Sequence, residues 1–483
     1  MDAFMLKVLF VVSEAVPFVK TGGLADVAGS LPKALQKEGI DIRVIMPKFS
    51  DIADDYKTHM KHVLDTKVQV SWRNQYCGVE ALEQDGIPFY FIDNEQYFRR
   101  EGLYGYLDDA ERFTFFCRAV LELIPKLGFI PDIIHCNDWH SAMISVFLKL
   151  QYAQNQLYQN IRTVYTVHNL KYQGVFDPKI MDDILAIDKQ YFNNGDLEFS
   201  GAVNFMKGGL VYADVITTVS PSYAKEIQLP YYGEKLEGLL RQRSQDLWGI
   251  LNGIDYDEYN PATDAYLFSN YQLDDISKKI LNKTELQRQL GLPVRRDVPM
   301  LSLVCRLVAA KGLDLIIRII DELLQHEDVQ LVLLGSGDKE YEEWFKELAW
   351  RFPTKVSANI FFSNSLAHQI YGSSDIFLMP SMYEPCGIGQ LIALHYGTIP
   401  VARATGGLRD TVKPYLKYER SGNGFTFSDY NAHEFLYAIK RALCAYEDKL
   451  IWSDIVRNAM ISDFSWKKSA TQYKEIYVQL VNK

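Results

Sequence analysis

The sequence predicts an α/β protein made of two doubly wound, Rossmann-like domains. Three observations carry this prediction. Short apolar runs of strand length alternate with helix-length amphipathic segments, the alternation stops in a turn-rich stretch and then restarts, and the glycine-rich and charged motifs follow directly on the apolar runs. A chain of 483 residues exceeds one ordinary core and favours two large domains. Its 48% hydrophobic and 23% charged residues are those of a globular protein and exclude disorder.

The first series of strands is expected at Lys7 to Val12, Asp41 to Met46, Phe89 to Ile92, Asp132 to Cys136, Thr163 to Val167 and Val215 to Val219. The second is expected at Leu301 to Cys305, Gln330 to Leu334, Asn359 to Phe362, Asp375 to Met379 and Ile399 to Ala402. Both series read as βαβ units on parallel sheets. Between them, Leu251-Asn252-Gly253-Ile254-Asp255 and Asn260-Pro261 suit a hinge. The expected domains are therefore residues 1–250 and 251–462. The tail, 463–483, is expected as a helix whose Tyr473, Ile476, Tyr477 and Leu480 form an apolar face that packs back across the hinge.

A net charge of -10 argues against nonspecific nucleic-acid binding, because neutralising phosphates needs clustered Lys and Arg. Cys77, Cys117, Cys136, Cys305, Cys386 and Cys444 show no C-x-x-C spacing, so neither a zinc site nor a disulfide framework is expected, and reduced thiols point to the cytoplasm. No apolar stretch approaches membrane-spanning length, and the run Val8 to Val12 reads as a buried strand rather than a signal peptide. No oligomeric state is assigned.

After the first strand come Ser13-Glu14 and then Lys20-Thr21-Gly22-Gly23-Leu24, opening a helix that runs towards Glu38. Gly22 and Gly23 at a helix start let a ligand approach the backbone, with N–H groups and Lys20 favouring phosphate or hydroxyl groups. A tight turn beside a solvated Lys20 is the alternative. Asp138, in Asn137-Asp138-Trp139-His140, and His168, in Val167-His168-Asn169, both end strands. Asp138 can accept from sugar hydroxyls and a neutral His168 can bond a sugar oxygen, or else Asp138 caps a helix and His168 is a core residue. His140 is left unassigned.

In the second half, Arg306 and Lys311 lie five residues apart on the loop after a strand and can clamp a diphosphate. Surface salt bridging is the alternative. Glu384, in Tyr383-Glu384-Pro385-Cys386-Gly387-Ile388-Gly389-Gln390, can hold two sugar hydroxyls, followed by backbone N–H groups suited to phosphate, or it serves only the helix dipole. Cys386 reads as a packing residue rather than a nucleophile. Thr405-Gly406-Gly407-Leu408 repeats the strand-loop-helix arrangement.

In this order K-T-G-G-L, D-W-H, H-N, R-L-x-x-x-K-G, E-P-C-G and T-G-G-L resemble the bacterial glycogen synthase and plant starch synthase family of retaining glycosyltransferases, a likeness running from Val8 to Phe464-Ser465-Trp466. The resemblance implies a GT-B fold whose two domains close on ADP-glucose, with an α-1,4-glucan (glycogen or a maltooligosaccharide) as acceptor and neither metal nor cofactor. It implies that Arg306 and Lys311 bind the diphosphate and that Asp138, His168 and Glu384 hold the transferred glucose. Lys20, Gly22, Gly23, Asn252, Gly387, Ile388, Gly389, Thr405, Gly406 and Gly407 line the donor. Here Met382-Tyr383 stands in place of the common Arg-Phe, Ile388-Gly389 in place of Leu-Thr, and Ala310 where Gln is frequent.

The expected reaction transfers glucose through an oxocarbenium-like state with α configuration retained, since no motif supplies the opposite-face carboxylate of a double displacement. The alternatives are a related GT-B glucosyltransferase with another donor or a small acceptor, and a noncatalytic glucan-binding descendant. A nicotinamide dehydrogenase is disfavoured, because no G-x-G-x-x-G follows the first strand.

Overall fold

The structure, a computed structural model, describes residues 5–482. Residues 1–4 and Lys483, which fall within the expected domain bounds, lie outside the described residues. The chain divides into two compact units, one reaching to Asn252 and regaining the chain from Trp466, the other Gly253–Ser465.

The first unit contains β1 (Lys7–Val11), β2 (Asp41–Pro47), β3 (Lys61–Val70), β4 (Arg73–Gln84), β5 (Ile87–Asp93), β6 (Ile133–Asn137) and β7 (Arg162–Val167). It continues with a small sheet of β8 (Val175–Phe176), β9 (Glu198–Phe199) and β10 (Ala202–Asn204), then β11 (Val215–Thr218) and β12 (Leu247–Gly249). Nine of these form one sheet in the order β12-β11-β7-β6-β1-β2-β5-β4-β3. The strands from β12 to β5 are parallel, but β4 runs antiparallel to both β5 and β3. The expected all-parallel sheet is thus corrected to a mixed one. The central strands are buried on both faces, as their continuous apolar runs require, with Val8, Phe10 and Val11 fully buried.

The second unit contains β13 (Met300–Val304), β14 (Gln330–Leu334), β15 (Val356–Asn359), β16 (Ile376–Met379), β17 (Ile399–Arg403) and β18 (Phe425–Phe427). They pair in parallel in the order β15-β14-β13-β16-β17-β18, so the direction of winding reverses between β13 and β16. Helix Leu313–His326 buries Leu313, Ile316, Ile319, Ile320, Leu323 and Leu324 against this sheet, the stripe that a 3.6-residue period dictates. One expected strand is misplaced. Of residues 359–362 only Asn359 lies in a strand, as the end of β15, because pairing with β14 stops there and Phe361 and Phe362 are exposed. Aromatic residues there mark a loop end rather than a core.

The C-terminal helix Trp466–Val481 buries Trp466, Tyr473, Ile476, Tyr477 and Leu480. It packs on helix Gly23–Lys37 of the first unit. The Tyr477 hydroxyl pairs with His135 Nδ1 at 2.6 Å, and Lys474 Nζ donates to the carbonyl of Glu38 at 2.6 Å.

Candidate active site

In the second unit, the loops leaving β13 and β16 meet at the point where the winding reverses, the place at which open α/β sheets bind ligands. The Met382 N–H donates to the Ala310 carbonyl at 2.9 Å, fastening one loop to the other. Gly312 allows this approach: its φ is +71°, and a Cβ there would stand 2.0 Å from the Pro380 carbonyl oxygen.

Across this seam Lys311 Nζ reaches Glu384 Oε2 at 2.6 Å, and the Ser381 hydroxyl donates to the same oxygen at 3.0 Å. Glu384 is almost wholly buried. Burial opposes the charge on Lys311, but the Glu384 carboxylate outweighs it and holds the ammonium above its ordinary pKa. Arg306 is exposed, and its side chain makes no hydrogen bond or ion pair with another described residue. The geometry thus joins Lys311 to Glu384 and leaves a guanidinium beside them free to bind an anion.

Arg403, which the sequence reading did not single out, braces this seam. It ends β17, is 9% exposed, and donates to the carbonyls of Met382 and Ser428. Thr405, Gly406 and Gly407 are buried beneath the Glu384 loop. The Gly407 N–H is spent on the carbonyls of Glu384 and Pro385, at 3.1 and 3.2 Å, and a Cβ on Gly406 would meet the Glu384 carbonyl oxygen at 2.0 Å. Gly406 and Gly407 thus pack directly against the backbone of the Glu384 loop. Gly387, Ile388 and Gly389 are half-buried at the start of helix Gly389–His395, and Gln390 Nε2 fixes the turn by donating to the carbonyls of Cys386 and Gly387. Cys386 is buried.

In the first unit, winding reverses between β1 and β6, and Glu14, Asp138 and His168 follow β1, β6 and β7. Glu14 is buried and accepts from both the backbone N–H and the hydroxyl of Thr21, so it pins the loop that carries Lys20, Gly22 and Gly23. Burial raises its pKa against the pull of these donors. Nothing within the sequence spacing reveals this contact. Gly22 is extended, and a Cβ there would come no nearer than 4.0 Å to Glu14 Oε1. The fold itself does not require glycine at this position, which suits close approach by a ligand. Lys20 pairs with Asp26 at 2.6 Å and remains partly exposed.

Asp138 adopts φ +53°, and its Oδ1 accepts the His168 backbone N–H at 2.8 Å. It does not cap the helix it begins; Asn137 occupies that position. Burial lifts the Asp138 pKa to about 7, opposed by the backbone N–H groups of His168 and Asn169. Burial has the opposite effect on His168, depressing it to about 3, so the imidazole is neutral. Its Nε2 lies 2.9 Å from Asn137 Oδ1, whose amide nitrogen donates to the carbonyls of Val11 and His135. That orientation puts the ring proton on Nε2. His140 is a core residue among Trp139, Phe113 and Tyr104, held neutral by burial. Asn252 is buried, and its Oδ1 makes no hydrogen bond among the described residues.

No group of three or more His, Cys, Asp or Glu among the described residues is arranged to hold a metal ion, and no helix among them is long and apolar enough to cross a membrane.

Comparison with known proteins identifies the family. The starch synthase catalytic domain matches residues 7–242, and the group 1 glycosyl transferases match residues 282–458. The glycogen synthase of Desulforamulus reducens is 56% identical over 476 residues, covering 99% of each chain. That of Geobacillus thermodenitrificans is 53% identical over 478 residues, covering 99% of this chain and 98% of its own. The structure is similar to the catalytic domain of starch synthase IV from Arabidopsis thaliana bound to ADP and acarbose, with a TM-score of 0.92 and 35% identity over 99% of this chain and 100% of that one. With identity above one half sustained over 99% of its length, the chain belongs to the glycogen synthase family.

Proposed function

We propose that this protein transfers glucose from ADP-glucose to the non-reducing end of an α-1,4-glucan, glycogen or a maltooligosaccharide, with retention of α configuration. The observation that carries this reading is the Lys311–Glu384 pair beside the unpartnered Arg306, at the winding reversal of the second sheet. Arg306 and Lys311 hold the diphosphate and stabilise the charge it gains on leaving, the kind of preorganised electrostatics that contributes most to many enzymes. Glu384 accepts from hydroxyls of the glucose while anchoring Lys311. The open N–H groups of the first turn at Gly389 suit phosphate oxygens. Phe361 and Phe362, 50% and 79% exposed just beyond β15, offer a ring on which the purine stacks.

Lys20, with the backbone at Gly22 and Gly23, contributes further donors to ADP-glucose. Ionised Asp138 accepts from sugar hydroxyls, and neutral His168 lends polarity near the reacting carbon without adding charge. The C1–phosphate bond breaks as the acceptor 4-hydroxyl attacks from the face that ADP leaves, and the departing phosphate takes the hydroxyl proton. Atoms and charge balance without a covalent sugar–enzyme bond. None of the six cysteines is joined in a disulfide, which suits a reducing cytoplasm.

The test is incubation of the purified protein with glycogen and either ADP-glucose or UDP-glucose, following nucleotide release and incorporation of labelled glucose. Glycogen-dependent incorporation that favours ADP-glucose is expected. Nucleotide release without incorporation, or no activity with either donor, overturns the proposal.

A further inference from the structure

In the second unit, helix Asn364–Ser373 leads into β16 and helix Gly389–His395 follows it, with the Glu384 loop between β16 and the second helix. The C-terminal carbonyls of both helices converge on one point. Lys279, the first residue of helix Lys279–Gln289, brings its ammonium there. Its Nζ donates at 3.1 Å to the carbonyls of Tyr371 and Gly372, in the last turn of the first helix, and at 3.0 Å to that of Tyr396, at the end of the second. The Thr398 hydroxyl at 2.8 Å and the Tyr271 hydroxyl at 3.3 Å complete a cage of oxygens around it.

Lys279 forms no ion pair with a described residue, because Asp375, the carboxylate whose field reaches it, is spent on Lys283 at 2.7 Å and on the Met300 N–H at 2.8 Å. Dipoles alone meet its charge. The carbonyls that end a helix carry partial negative charge, so two helix ends pointing at one spot repel, and a cation between them turns repulsion into attraction. Hydroxyls tighten the same knot. Tyr271 donates to the Tyr396 carbonyl at 2.7 Å, and Thr398 donates to the carbonyls of Tyr371 and Ser374 at 2.6 and 2.8 Å. Tyr271, Tyr396 and Thr398 are buried, which leaves little room for water to replace the ammonium. Burial draws the Lys279 pKa down to about 7, with Lys283 adding to the fall and Asp375 opposing it. The Glu384 loop has no regular structure of its own, so its ends set its course. One end is β16, fixed between β13 and β17; the other is a helix of only 7 residues, whose far end Lys279 holds.

We propose that Lys279 is a positioning residue for the donor site: its ammonium draws the ends of the two helices together and so sets where the Glu384 loop presents its carboxylate and backbone N–H groups. Lys279 itself touches no substrate. Without its charge the two negative helix ends separate, helix Gly389–His395 shifts, and the loop shifts with it, loosening the Lys311–Glu384 pair. The identity of the ligand, an ADP-sugar, rests on the glucosyl-transfer reading.

The experiment compares the full-length protein with Lys279→Met, Lys279→Ala and Tyr271→Phe. Calorimetry gives the Kd for ADP and the number of sites, at about pH 6, below the Lys279 pKa of about 7; initial rates give KM for ADP-glucose and for glycogen. Both Lys279 variants should show a several-fold rise in Kd and in KM for ADP-glucose, Tyr271→Phe a smaller rise, and all three an unchanged KM for glycogen. Propylammonium, which supplies the atoms removed in Lys279→Ala, should restore its Kd, and tetramethylammonium at the same concentration should not. A residue that only stabilised the fold would lower the number of sites and leave Kd as it was. Wild-type Kd in the folded variants overturns the proposal, and so does a raised Kd in Lys279→Ala that propylammonium leaves unchanged. Where the Lys279 variants do not fold, wild-type Kd in Tyr271→Phe overturns it. Binding of ADP needs no acceptor, so wild-type protein that binds ADP but transfers no glucose would refute the transfer reading alone, and transfer with wild-type Kd in the variants would refute this one alone.

Discussion

Lys311 occupies a position where a cation is costly unless it is paired, and the pair it makes is also the proposed means of stabilising the leaving diphosphate. Lys311→Ala is expected to lower kcat with ADP-glucose by about 100- to 1000-fold. It should also cost stability of about 3 kcal/mol by stranding the Glu384 carboxylate. Adding Glu384→Gln should recover most of that stability, seen as the urea midpoint, and none of the activity. Activity returning with the midpoint would remove Lys311 from the chemistry. Asp138 sets function against stability. Its folded pKa of about 7 lies above the ordinary value, so the native state binds the extra proton. The stability this adds is present in full below about pH 4 and is lost as pH rises through about 7. The sugar-binding form is the ionised one. The kcat/KM profile for ADP-glucose should therefore rise through about pH 7, and Asp138→Asn should be slower and lack that limb; a limb that persists in the variant assigns it to another group.

At the scale of elements, the seam between the β13 and β16 loops depends on a missing side chain. Gly312→Ala should cost about 1–3 kcal/mol through the clash with the Pro380 carbonyl and the positive φ. It should also weaken ADP-glucose binding by separating Lys311 from Glu384. A urea midpoint and KM equal to wild type would show that the seam yields without consequence. Central strands were legible in the sequence because burial on both faces demands unbroken apolar runs, as in Val8 to Val11. The β3–β4 pair was not, because Lys61–Val70 is largely exposed and mixes polar with apolar residues. Strands as short as Val175–Phe176 leave no periodic trace. The positions of Arg306, Lys311 and Glu384 could be read from their place after strands. Their pairing across 73 residues could not, nor could the brace from Arg403 or the hold of Glu14 on Thr21, since these arise only when separate loops are brought together.

For the whole molecule, the last helix matters more than its length suggests. Tyr473, Ile476, Tyr477 and Leu480 are buried in the first unit, at about 2 kcal/mol each. Their sum approaches the stability of an ordinary domain. Truncation after Ser465 should leave residues 253–465 folded but the first unit destabilised, seen as early loss of hydrogen-exchange protection in β1 and β6. Protection unchanged in those strands would make the helix dispensable. The same arrangement governs the order of events during synthesis. The ribosome completes Gly253–Ser465 before it makes Trp466–Val481, so the unit translated second has its whole sequence available first. The unit translated first waits, with the face of helix Gly23–Lys37 uncovered, until the final turns of the chain emerge. Its exposure to chaperones and proteases is thus set by the time taken to translate the residues in between.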